Sequence, residues 1–145
     1  MPEIRRARFE DVTACAALAD ELIGPRRAQP FTEAALDRRQ LLVASDNGSI
    51  VGCLAYTTDW FNCTFVSLVV VKADHRRKGI ARELYRAVEA ESASPRLFSS
   101  TEETNAGSIR MHSALGFTAS GYIENLPQGC HELLFYKRLD GGRHA

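Results

Sequence analysis

The stretch FVSLVVVKADHRRKGIARELYRAVEAES, residues 65 to 92, decides the fold. Its opening run, FVSLVVV, is almost continuously apolar, the pattern of a strand covered on both faces. In its second half Ile80, Leu84 and Val88, flanked by Ala81 and Tyr85, recur at helical spacing, and Pro95 ends the pattern. Between the two lie only Lys72, Ala73, Asp74 and the basic turn HRRK at 75 to 78, followed by Gly79. A strand-to-helix crossover of this kind belongs to a sheet with helices on its faces, and it is where such sheets bind ligands.

Working outward, residues 41 to 45 and 49 to 56 flank Asp46, Asn47 and Gly48, and Asn-Gly is the favoured dipeptide of a tight hairpin. A second hairpin, with the aromatic stretch DWF at 59 to 61 in its loop, brings residues 65 to 71 alongside. Toward the N-terminus, residues 3 to 8 read as a short strand. VTACAALADELI then places Val12, Ala16, Ala19 and Ile23 on one helical face, with Glu10 and Asp11 at its positive end. Gly24, Pro25 and Pro30 interrupt, and TEAALDRRQ, opened by Thr32, predicts a second short helix. Downstream, RLFSS at 96 to 100 is a strand, Asn105 caps a helix over SIRMHSAL, and Gly116 stops it. TASGYI and ELLFYKRL complete the set, and the polar tail at 140 to 145 reads as frayed. The expected order is β-α-α-β-β-β-α-β-α-β-β, an α/β (α+β) fold in one domain spanning residues 1 to 145.

The totals limit function. The chain has 145 residues, 45% of them hydrophobic and 25% charged, with 18 Lys plus Arg against 18 Asp plus Glu. Zero net charge leaves no global attraction to nucleic acid or anionic membrane, so any anion recognition is local. No run approaches the ~20 apolar residues of a membrane span. The start MPEIRRARFED lacks the apolar block of a signal peptide, so the expected location is the cytoplasm. Cys15, Cys53, Cys63 and Cys130 match neither a metal motif nor a disulfide framework, and no metal is expected.

The turn before residue 80 carries chemistry of its own. A helix N-terminus presents free backbone N–H groups and a partial positive charge, and Gly79 and Ala81 leave those amides accessible to a phosphate. Arg76, Arg77, Lys78 and Arg82 add charge around the same point. Neither a P-loop nor a dinucleotide fingerprint is present. These residues resemble the GNAT superfamily of acetyl-CoA-dependent N-acetyltransferases. Arg76, Gly79 and Ala81 fill the slots of that family's pyrophosphate loop, and NAGSIRMHSALGF at 105 to 117 is similar to its Asn-led helix ending in Leu-Gly-Phe. The resemblance covers residues 64 to 117 in sequence and the N-terminal third by element order.

The resemblance implies a mixed, mainly antiparallel twisted sheet of six or seven strands with about four helices. It implies acetyl-CoA as co-substrate, its pantetheine arm pairing with the backbone of Val69, Val70 and Val71. The pyrophosphate would then lie on the amides of residues 77 to 82, Ile80 among them, with Asn105 near the pantetheine or thioester end. Such pairing works as strand addition does for a peptide. The implied reaction is direct transfer of an acetyl group to a primary amine, of a small molecule or a protein, in a ternary complex.

That reaction needs a deprotonated amine beside the thioester and a proton for the leaving thiolate. The family often supplies that proton from a tyrosine seven residues after the Asn, and here that position is His112. Histidine is able to donate a proton, but Ser108, His112 and Leu115 share one helical face, where a packed core histidine also falls. The family's strand glutamate is missing from residues 65 to 71, leaving Glu102 and Glu103 as candidates for the base. Asp59, Glu124, His131 and Glu132 lie in loops or strand ends that would frame an acceptor pocket, and Trp60 and Phe61 either line it or cap the core. Because the tyrosine and the strand carboxylate are both absent, an acyl-CoA-binding sensor with little transferase activity is the alternative. A homodimer is among the assemblies the resemblance admits.

Overall fold

The computed structural model describes residues 1–139; the tail expected to fray, 140 to 145, lies outside them. The elements are β1 (Glu3–Arg6), α1 (Val12–Ile23), α2 (Pro25–Asp37), β2 (Leu41–Asp46), β3 (Ser49–Trp60), β4 (Cys63–Val71), α3 (Ile80–Glu91), β5 (Arg96–Glu102), α4 (Ala106–Ala114), β6 (Thr118–Ile123) and β7 (Glu132–Arg138). Single 3-10 turns at Phe9–Asp11 and Ala73–His75 precede α1 and α3. The order matches the expectation, and the seven strands form one sheet in the order β1-β2-β3-β4-β5-β7-β6. The pairs β1/β2, β2/β3, β5/β7 and β6/β7 are antiparallel, whereas β4/β5 is parallel over three residue pairs, Thr64↔Leu97 to Val66↔Ser99.

Two compact units make up the chain, Met1–Thr57 with Ser67–Glu91, and Thr58–Val66 with the residues from Ser92 onward. In the first, Val43, Cys53, Ala55, Leu68 and Val70 are buried with Cys15, Ala16 and Ala19 of α1 and Ala28 and Ala35 of α2. Small residues on both helices let them lie close to the strands. Cys15 and Cys53 are fully buried there as small apolar groups. The β2–β3 turn has Asn47 and Gly48 at φ 51° and 85°, the left-handed pair that a tight hairpin needs. Asp11 does more than face a helix end: its carboxylate receives Arg5 Nη1 at 2.8 Å and the Arg8 amide at 2.7 Å.

Three expectations are corrected. The second helix begins at Pro25, not Thr32, because Pro at the first helical position loses no hydrogen bond. Pro30 lies inside it, exposed together with Arg26, so water can reach the carbonyl that its ring leaves unpaired. Strand β3 runs on through Asp59 to Trp60, leaving only Phe61 and Asn62, at φ 52° and 60°, as the turn into β4. Finally, β4 is not covered equally on both faces. Thr64, Val66, Leu68 and Val70 are buried, while Phe65, Ser67, Val69 and Val71 are only partly so.

In the second unit, Leu97, Ser99 and Thr101 of β5 and Phe135 of β7 are buried with Phe117 and His112. The alternate residues carry an aromatic chain. Trp60 stacks on Phe65 at 4.9 Å between centroids and leans on Phe98 at 5.0 Å, and Phe98 meets Tyr136 at 5.2 Å. Trp60 therefore packs on the sheet, and Phe61, 82% exposed, touches its edge.

The tightest approach in the first unit is at Gly52 of β3. A Cβ there would stand 3.3 Å from both the Val70 carbonyl oxygen and Ile80 Cγ2, and 3.5 Å from Leu84 Cδ1. Gly52→Val is expected to cost about 1–3 kcal/mol through overpacking, measured as a lower urea midpoint at unchanged slope; a neutral variant would show that β3 and α3 are not held together at this point.

Candidate functional site

In the first unit, β4 delivers the chain into a turn whose backbone is unusual. Arg77 has φ 63° and Gly79 φ 83°, so a non-glycine and a glycine both adopt the left-handed conformation within three residues. The turn leaves α3 with its first amides directed away from the helix and without intrahelical partners. Arg77, Lys78, Gly79 and Arg82 are exposed, whereas Ile80 turns into the core at 2% exposure and Ala81 is half-buried. Among the described residues, and apart from its chain neighbours, only Met1 Cε comes within 4 Å of where a Gly79 Cβ would be, so the approach to Gly79 is open.

Arg76 is placed differently from the basic residues after it. Its Nε donates to the Val71 carbonyl at 2.9 Å and its Nη2 to Glu21 Oε1 of α1 at 2.6 Å. The Lys72 amide donates to the Val51 carbonyl at 2.8 Å. The end of β4 is thus tied on one side by backbone and on the other by a guanidinium. Val69 and Val71 are half-buried, and Val70 is buried.

In the second unit, Asn105 caps α4 as expected, its Oδ1 accepting the Ser108 amide at 3.1 Å. Glu102 ends β5 and Glu103 follows it, both exposed. Glu103 and His131 are linked three ways. The Glu103 amide donates to the His131 carbonyl at 3.0 Å, the His131 amide donates to Glu103 Oε2 at 2.5 Å, and His131 Nδ1 is 3.8 Å from Glu103 Oε1. Tyr122 stacks on the imidazole at 4.6 Å, and Glu124 Oε2 is 3.9 Å from its Nε2. Glu102 instead accepts from Cys130 Sγ at 3.6 Å, and Glu132 from Gln128 Nε2 at 3.3 Å. The spacing of 28 residues between Glu103 and His131 gives no sign of this pairing, and no local pattern would reveal it.

His112, the residue expected to act as acid, is fully buried. Its Nδ1 is 2.8 Å from the Ser108 carbonyl oxygen and its Nε2 is 2.8 Å from Ser99 Oγ. A carbonyl only accepts, so Nδ1 carries the proton and Nε2 accepts from the serine hydroxyl. The ring stacks on Phe135 at 4.4 Å and meets Phe117 edge-on at 5.2 Å. Burial lowers its affinity for a proton, and the hydrogen bond to Ser108 opposes that only in part.

A sequence model of the acetyltransferase (GNAT) family matches residues 6–117. The chain belongs to that family. It is 29% identical to the phosphinothricin N-acetyltransferase of Streptomyces viridochromogenes, over 94% of this chain and 86% of that one. Among solved structures, an acetyltransferase of the GNAT family from Bacillus cereus superposes with a TM-score of 0.87 at 31% identity, over 95% of this chain and 97% of its own. YncA of Salmonella typhimurium, solved with its cofactor acetyl-CoA, has the same fold, with a TM-score of 0.80 at 22% identity over 97% and 95% of the two chains.

Within this GNAT chain His112 pins α4 to β5 through Nε2 and Ser99, while Nδ1 is held by Ser108 of its own helix. Its neutral form is the one that fits, so its stabilising effect is complete above the unfolded value of about 6.5 and declines as pH falls toward the lower folded value. Chemical denaturation between pH 8 and 5 is expected to show that decline. In His112→Phe the hydrogen bond from Ser99 to the ring is lost, at a cost of about 0.5–1.5 kcal/mol, and the dependence in this window is expected to flatten. A wild type without the decline would contradict the neutral, buried assignment.

Proposed function

We propose that the protein transfers an acetyl group from acetyl-CoA to a primary amine, directly and with both substrates bound, the whole chain working as one transferase domain. The observation that carries this reading is the turn after β4, where left-handed backbone at Arg77 and Gly79 opens the first amides of α3 to a phosphate. The donor set suits the pyrophosphate of the co-substrate: uncrowded amides at residues 77 to 82, with Arg77, Lys78 and Arg82 exposed around them. Val69, Val70 and Val71 offer backbone to the amide-bearing arm. Arg76 braces this end of the strand through Val71 and Glu21, and its contribution is to hold the turn's shape. Asn105 fixes the start of α4 through its bond to the Ser108 amide. Acetyl-CoA, once bound, supplies the activated acyl group.

For the base we favour Glu103 over Glu102, since His131 holds and orients the Glu103 carboxylate, leaving it beside an imidazole able to pass the proton on. His112 is then a positioning residue, its ring nitrogens being engaged by Ser99 and Ser108. Either a small-molecule or a protein amine fits this scheme, and phosphinothricin, named for the Streptomyces relative, belongs in the panel of acceptors.

Calorimetry with acetyl-CoA and a thiol-release screen over that panel test the reading. Gly79→Val is expected to weaken acetyl-CoA binding by at least about tenfold, since a left-handed β-branched residue costs roughly 1–2 kcal/mol and its side chain also blocks the amides. Unchanged binding would remove the turn from the site. Glu103→Gln is expected to lower kcat by about 10²–10⁴ with little change in acetyl-CoA affinity; an unaltered kcat and pH profile would dismiss it as base. The absence of a tyrosine at position 112 favours a second reading, an acyl-CoA sensor. Acetyl-CoA binding without thiol release on any amine would select it.

A further inference from the structure

We propose that the cavity between the end of β1 and the end of α2 is a binding site for a small apolar carboxylate. It has a volume of about 200 Å³ and is lined by Arg6, Ala7, Leu36, Arg39 and Leu41. Leu41 is buried and Ala7 and Leu36 are half-buried, whereas Arg6 and Arg39 are exposed, which gives an apolar floor under a basic rim. The volume lies below the roughly 300–1,000 Å³ of sites for drug-sized ligands, so the occupant is a small molecule.

Arg39 stands at a position that favours glycine. α2 ends in a Schellman motif, with the Gln40 amide donating to the Ala35 carbonyl and the Arg39 amide to the Leu36 carbonyl, each at 2.9 Å. Such a motif holds the residue after the cap in left-handed backbone, where glycine is the usual choice. α4 closes in the same way through the Phe117 and Gly116 amides, and its left-handed residue is Gly116, at φ 92°. α2 instead has Arg39, at φ 60°, a conformation that strains any residue with a Cβ. Strain at a residue that borders a cavity points to a use for its side chain.

The neighbouring guanidinium groups are already engaged. Arg38 donates from Nε to Gln40 Oε1 at 2.9 Å and from Nη2 to the Tyr56 carbonyl at 3.4 Å. Arg6 donates from Nη1 to the Arg39 carbonyl, and its Nη2 lies 2.7 Å from Glu91 Oε1, which fixes it and balances its charge. Among the described residues Arg39 has no carboxylate within ion-pair distance. The rim thus carries one uncompensated positive charge above an apolar floor. A guanidinium takes a carboxylate through two parallel N–H bonds, and a short apolar body attached to that carboxylate covers Leu36 and Leu41. A phosphate dianion brings a second charge that the lining does not balance. Glu91 is the last residue of α3, roughly 16 Å along that helix from Ile80 at about 1.5 Å per residue. The cavity is therefore at the opposite end of α3 from the turn after β4, and its ligand does not depend on what reaction the chain performs.

Hexanoate is the probe, titrated into ¹⁵N-labelled protein with hexanol, acetate and inorganic phosphate in parallel. Hexanoate is expected to give saturable amide shifts at Ala7, Arg39 and Leu41, and the other three to bind at least about tenfold more weakly. Arg39→Lys keeps the charge without the paired donors and is expected to bind hexanoate less tightly than the wild type. Arg39→Gly is expected to weaken hexanoate by at least about tenfold while its urea midpoint stays the same or rises, because glycine relieves the left-handed strain. Absence of saturable shifts at these residues, equal binding of hexanol, acetate or phosphate, or equal hexanoate binding by Arg39→Gly would each overturn the proposal. A lower urea midpoint in Arg39→Gly would overturn it as well, since the arginine side chain would then serve the fold itself.

Discussion

The missing side chain at Gly52 sets how closely β3, the end of β4 and α3 can approach in the first unit. A Cβ there would already stand 3.3–3.5 Å from the Val70 carbonyl oxygen and the side chains of Ile80 and Leu84, so a larger residue fits only if these neighbours give way. Ile80 and Leu84 are 2% and 0% exposed, so α3 cannot withdraw without uncovering both. The first turn of α3 is thereby held at the end of β4. Its free amides then project from a fixed point, which is what a binding site for a charged ligand requires.

Between the fixed strand and the fixed helix the chain has few ways to connect. Arg77 at φ 63° is the price of a short turn, since a non-glycine residue held there costs of order 1–3 kcal/mol. Arg76 helps to hold that conformation by joining the Val71 carbonyl to Glu21 of α1. Successive amides that pass through left-handed backbone form a concave, anion-binding nest. The basic side chains that the sequence brings to this turn therefore divide their work, with Arg76 bonded to Val71 and Glu21 at the surface, and Arg77, Lys78 and Arg82 exposed beside it.

Most of this first unit was legible in the sequence because its signals are local. Asn47-Gly48 marked the β2–β3 hairpin, the apolar stripe marked α3, and VTACAALADELI marked α1 to the residue. The same is true of the Asn105 cap. The misreadings came where a local rule was outweighed. Proline usually breaks a helix, yet Pro25 at the first position and an exposed Pro30 were accommodated in α2. Aromatic residues after a strand suggest a loop, yet Trp60 gained more by packing on Phe65 and Phe98 as the end of β3. An isolated glycine within a strand was the available clue to Gly52.

The second unit hides its chemistry because its important pairs are distant in sequence. His112 looked the same as a catalytic or a packed histidine until Ser99 and Phe135 were brought beside it, and both come from strands outside its helix. The Glu103 amide donates to the His131 carbonyl and the His131 amide donates to the Glu103 carboxylate, so that carboxylate is located by the connection between β6 and β7. That connection, ENLPQGCH, also includes Glu124 and Cys130 and borders Tyr122 of β6. The Glu103 carboxylate is therefore held by a backbone segment far from it in sequence, whereas the turn after β4 takes its shape from a single run of residues.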